Sequence, residues 1–82
     1  GKTEVGFNVR VSENSARKMD IGIWNLLGER VKHFEWNGSH AGVRAFFWNG
    51  TGENGLPVPA GVYFLRVRRE NLQKIRKILF IR

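Results

Sequence analysis

The chain contains no cysteine, a single aspartate, a single methionine and no apolar run of membrane length. Without thiols, neither a disulfide staple nor a thiolate metal site can form. That leaves the compartment open, because many secreted bacterial domains also lack cysteine. Catalysis has little to work with. Asp20 is the sole aspartate, His33 and His40 stand apart, and Ser39 beside His40 in one loop is not the spatial arrangement a nucleophile and its base require. Nothing approaches the roughly 18–20 apolar residues of a membrane helix, and no signal peptide opens the sequence. Gly1-Lys2 is expected to be a cut within a longer protein, so the missing address carries no weight. No cofactor is expected.

What is present is aromatic and basic. Eighty-two residues with six Phe, three Trp and one Tyr make one domain with a single modest core. A chain of this size buries roughly 60–65% of the surface that its unfolded form exposes, so the large rings supply much of its stability. Period-two alternation runs through the sequence and no helical stripe competes with it. Val5, Phe7, Val9 and Val11 fall on one face of a first strand, and Met19, Ile21 and Ile23 on one face of a second. Asn25 to Gly28 closes a tight hairpin, with Gly28 placed for a positive φ. Arg30 to Trp36 is a third strand, followed by a turn at Asn37-Gly38. Val43 to Trp48 is a fourth, burying Phe46 and Trp48. A loop rich in Gly and Pro spans 49–60, strand five turns Tyr63, Leu65 and Val67 inward, and Leu72 to Ile81 is the last strand. Short strands at this spacing predict an all-β sandwich or small barrel.

Two motifs could be read chemically. Trp-Asn recurs at 24–25, 36–37 and 48–49. An aromatic that ends a strand and an Asn that opens a turn explain this spacing better than a sugar-stacking platform does. The loop from Asn49 to Gly55 has the alternation of a calcium site but one carboxylate, Glu53. Hard cations want several anionic oxygens, so a turn is the better reading.

Charge is concentrated at one end. Residues 1–60 carry seven Lys/Arg against six acids, a net of +1, whereas residues 61–82 carry seven against Glu70 alone, a net of +6. Two readings stand: a recognition hairpin, or a solvated face with an edge strand guarded by cations. Arg66, Arg68, Arg69, Lys74 and Arg76 form the candidate basic patch. With Phe64 on the same strand face as Arg66 and Arg68, a polyanion or single-stranded nucleic acid is a further alternative. No nucleic-acid recognition motif accompanies it, so no specific nucleic acid is expected.

The order of motifs narrows this. Ile21 to Val31 comes first, then Ala41-Gly42, Phe47-Trp48-Asn49-Gly50 and Asn54-Gly55-Leu56-Pro57-Val58, and last Ala60 to Val67 and Arg76 to Arg82. Together they resemble the type A C-terminal sorting domain of type IX secretion cargo. The related Ig-like domain of flagellar hook-capping proteins shares the middle motifs. The resemblance implies an Ig-like β-sandwich of about seven antiparallel strands, residues 1–82 forming one non-catalytic domain at the C-terminus of a larger secreted protein. It further implies, as partners, the type IX translocon with its outer-membrane shuttle components and a sortase-like peptidase. The location implied is secreted or cell-surface, reached through the periplasm. Gly61 and Tyr63 match the family's Gly-x-Tyr, Lys77 its near-terminal Lys and Arg82 its closing basic residue. Ile78, Leu79, Phe80 and Ile81 form the apolar run between them. Asn49 departs from the usual Asp, and the Asn-Pro segment that normally precedes the first strand is missing. The alternative that the same motifs carry is an Ig-like assembly or adhesion module akin to the hook cap.

Overall fold

The computed structural model describes residues 5–11, 18–37, 42–69 and 72–81. Six strands account for most of them: β1 (Val5–Val11), β2 (Lys18–Trp24), β3 (Arg30–Asn37), β4 (Gly42–Trp48), β5 (Gly61–Arg69) and β6 (Leu72–Phe80). All pairings are antiparallel. One sheet has two strands, β1 and β4, and the other has four in the order β3-β2-β5-β6. The chain therefore leaves the larger sheet after β3, adds β4 to β1 in the smaller one, and returns for the β5–β6 hairpin.

About seven strands were expected, and the described residues hold six. In the 49–60 loop the chain makes only an isolated bridge between Thr51 and Pro57. Pro57 and Pro59 have no N–H to give a ladder, which keeps this stretch out of either sheet. The loop is nevertheless tied down. Gly52 N donates to Leu56 O at 2.9 Å, Leu56 N to Asn54 Oδ1 at 3.0 Å, and Glu53 N to Val31 O at 3.0 Å. The last bond has a cause in the neighbouring sheet. The register of β2 against β3 slips between Ile23 and Trp24, which pair with Lys32 and Arg30, so Val31 is the extra residue of a bulge and its carbonyl is left for the loop. Asn54 is thereby occupied in the turn itself. The segment from Asn49 to Gly55 is a braced turn, and among the described residues no three His, Cys, Asp or Glu side chains converge on a point.

The core lies where the pleat directs it. Phe7, Val9, Met19, Ile21, Ile23, Phe46, Trp48, Tyr63, Leu65, Ile78 and Phe80 are buried, each on the inward parity of its strand. Val67 was expected among them and is only partly buried, packing against the cluster from one side. It sits at the end of β5 that the two-stranded sheet leaves uncovered. Two aromatic groups join the sheets. Phe7 stacks on Phe46 at 5.4 Å, with Phe34 edge-on to both at 5.7 Å. Trp48 meets Tyr63 at 5.1 Å and Phe80 at 5.0 Å.

The hairpin between β2 and β3 closes as its sequence demands. Asn25 Oδ1 accepts from Leu27 N at 3.0 Å and Glu29 N at 2.9 Å, and Gly28 takes φ +83°. Of the Trp-Asn pairs, Trp24 and Trp48 share no face. Trp48 is fully buried between the sheets, whereas Trp24 lies on the outward side of the larger sheet, its ring over Gly22, where a Cβ would come within 2.3 Å of the indole. The side chain of Trp36 lies outside the described residues.

Candidate interaction surface

The β5–β6 hairpin carries every residue singled out for recognition, and the pleat divides them. Antiparallel register pairs Tyr63 with Ile78, Leu65 with Arg76 and Val67 with Lys74. Each such pair points to one face of the sheet. The inward set is therefore Gly61, Tyr63, Leu65, Val67 and Arg69 on β5, with Lys74, Arg76, Ile78 and Phe80 on β6. The outward set is Val62, Phe64, Arg66 and Arg68 on β5, with Gln73, Ile75, Lys77 and Leu79 on β6. The five cations grouped as one basic patch thus lie on two faces: Arg66 and Arg68 outward, Arg69, Lys74 and Arg76 inward.

The motif residues divide in the same way. Tyr63, Ile78 and Phe80 are core residues, buried to 5, 7 and 2% exposure. Gly61 opens β5. The Tyr63 hydroxyl donates to Pro59 O at 2.5 Å, so Gly-x-Tyr pins the end of the 49–60 loop onto the core. Lys77, Leu79 and Ile81 are exposed, the two apolar side chains at 61% each. Arg82 lies outside the described residues. The apolar run is therefore two rows, one completing the core and one facing solvent. β6 pairs with β5 alone among the described strands, leaving the backbone groups along its other side as an edge.

Beside this row stands a feature the sequence reading missed. The Arg66 guanidinium lies 3.9 Å from the centre of the Trp24 ring. Register explains the contact: Arg66 pairs with Gly22, which has no side chain of its own to occupy the face, so the indole folds over the glycine and the guanidinium caps it. Period-two reading of the two strands could have found it once their pairing was known. A cation–π contact at a partly exposed site contributes about 0.5–1 kcal/mol. Arg66→Ala should therefore lower stability by about that amount in a denaturant titration, and Arg68→Ala, which stands on the same face and is exposed, should change it less. Across the same face His33 Nε2 lies 2.8 Å from Asp20 Oδ1.

Two packed antiparallel sheets, a Tyr hydroxyl bonded to a carbonyl four residues back and a buried Trp between the layers define an Ig-like sandwich. The comparisons agree. Residues 1–73 match the model of the FlgD Ig-like domain, and the chain belongs to that family. Among solved structures it is similar to truncated FlgD from the human pathogen Helicobacter pylori in the monoclinic form, at TM-score 0.64 and 25% identity over 94% of this chain and 60% of that one. A structure of truncated FlgD from Helicobacter pylori strain 26695 superposes at TM-score 0.62 with 24% identity, over 98% of this chain and 61% of that one. This chain thus spans about 60% of the length of those structures. No curated protein matches it. Of the two readings that the motifs carried, the hook-cap relation is the one shown. The family match ends within β6, before Lys77.

Proposed function

We propose that this chain is a non-catalytic Ig-like assembly module of the hook-cap kind, which docks on a protein partner through the outward row of β6. Membership of the FlgD Ig-like family carries the reading. The exposed row of Ile75, Lys77, Leu79 and Ile81 supports it. An edge strand offers main-chain hydrogen bonds to an added strand, while alternate side chains supply apolar area and a charge that sets register.

A second reading, a type IX sorting domain, is favoured by one observation. Lys77, which matches the sorting motif, stands exposed beyond the stretch shared with the hook-cap family. On that reading the partners are the translocon, its shuttle components and a sortase-like peptidase, and the cargo reaches the cell surface.

One export assay separates the two. Residues 1–82 are fused behind a reporter delivered to the periplasm of a type IX-competent host. The assembly reading expects the reporter to stay there, for the wild type and Lys77→Ala alike. Export that is lost in Lys77→Ala, with stability within about 0.5–1 kcal/mol of the wild type as for a surface site, would replace it with the sorting reading.

A further inference from the structure

Among the described strands, the sandwich is open along one side. A cleft of about 830 Å3 runs between the free edges of β1 and β6, and residues from both faces of each strand line it. Its wall is apolar: Phe7 and Val9 from β1, Leu65 and Val67 from β5. Lys74 and Arg76 stand beside that wall on β6, and Arg10 lines it from β1. Among the described residues that line it, none is acidic.

The placement of Lys74 and Arg76 is the informative part. They share the inward parity of Ile78 and Phe80, which in a closed sandwich is the face that the opposite sheet covers. They pair with Val67 and Leu65, yet both are exposed, because among the described strands the smaller sheet ends at β1. Inward-facing charge at a sheet edge can act as a guard against mispairing. Here it also faces, across an apolar wall, the side of β1 that pairs with no described strand.

We infer that this cleft takes an extended segment of another protein, acidic at every second residue, which adds as a third strand to the free edge of β1. Three observations carry it. First, among the described strands β1 pairs with β4 alone, so every second residue directs its N–H and C=O into the cleft. Second, the layers of a sandwich stand about 10 Å apart and paired strands about 4.8 Å, so a strand beside β1 passes over the inner face of β6. Third, every second side chain of an added strand points inward and meets the Lys74 ammonium and the Arg76 guanidinium, which select carboxylates, while the apolar wall beside them takes the methylene stem of a Glu. The seven residues of β1 span about 24 Å, which sets a ligand of similar length. This contact is distinct from the outward row at Lys77 and Leu79, and its outcome does not depend on the assembly reading.

Titration of 15N-labelled protein with synthetic peptides tests it. A peptide alternating Glu and Val should shift β1 and β6 amides saturably. One with the same composition in separate Glu and Val blocks should bind at least tenfold more weakly, and one alternating Lys and Val should not saturate. The K74E/R76E variant should lose at least tenfold in affinity for the Glu peptide and gain binding of the Lys peptide. K74Q/R76Q replaces it, with the loss alone expected, if the charge reversal shifts the melting curve. No shift in β1 would overturn the inference. So would equal binding by the block peptide or by single-stranded DNA, or an affinity unchanged in the variants; in those cases the cations read charge alone or guard the edge.

Discussion

Trp48→Ala is expected to lose about 3–5 kcal/mol, the cost of emptying a large aromatic site in a packed core. An 82-residue domain holds on the order of 4–12 kcal/mol in total, so this one change removes about a quarter or more of the margin. The indole is fully buried and joins the two sheets through its contacts with Tyr63 and Phe80. It also holds the loop, since its Nε1 donates to Thr51 O at 2.9 Å. Trp48→Phe keeps most of the ring and loses that bond, leaving a carbonyl short of its donor. Its cost should be smaller, about 1–3 kcal/mol. Thermal melts separate the two, at about 4–8 °C per kcal/mol for a domain of this length. Equal losses for the two variants would mean that the hydrogen bond, rather than the packing, carries the site.

Gly50→Ala should be comparably damaging, at about 2–5 kcal/mol, although it adds only one methyl. Gly50 is buried at φ +79°, where an L-residue is strained by about 1–2 kcal/mol. An added Cβ would also stand 2.1 Å from Cζ of Phe80, and Phe80 is itself packed against Trp48. The ring cannot swing clear without opening the core, so overpacking adds about 1–3 kcal/mol. Gly28→Ala provides the control. It has a similar φ of +83° but nothing within 4 Å of the new methyl, so it should show the backbone cost alone. Urea titrations of the two variants measure the difference, and a Gly50→Ala midpoint no lower than that of Gly28→Ala would mean that Phe80 is not locked.

Alternation made much of this legible from residues alone. Phe7, Ile21, Ile23, Phe46, Trp48, Tyr63 and Leu65 could be placed in the core because each strand has one apolar face and a two-residue period. Val67 has the same local signal and is half-buried, because coverage depends on how far the opposite sheet extends, and no strand encodes that about its neighbour. The apolar run from Ile78 to Ile81 looked like one recognition surface. Register against β5 divides it into Ile78 and Phe80 in the core and Leu79 and Ile81 in solvent. The basic residues followed the same rule. Their number and location in the last hairpin were plain, but which faced inward depended on where the hairpin turns, and a shift of one residue would have exchanged the faces. The Trp24–Arg66 contact was hidden for a related reason, since it joins β2 to β5 across some forty residues of chain. The Asn residues of the Trp-Asn pairs were read partly well. Asn25 caps its turn through backbone amides, whereas Asn49 accepts instead from the Thr51 hydroxyl at 2.7 Å.

Site-specific photocrosslinking in the full-length protein, in the cell that makes it, asks most directly whether β6 is the working surface. A photoreactive amino acid is placed at Lys77, at Leu79 or at Phe47. The last is an equally exposed apolar position, at 65%, on the opposite sheet. Docking through the outward row of β6 predicts a discrete adduct of the same partner from positions 77 and 79 and none from 47. Adducts of equal yield from all three positions, or from 47 alone, would contradict it.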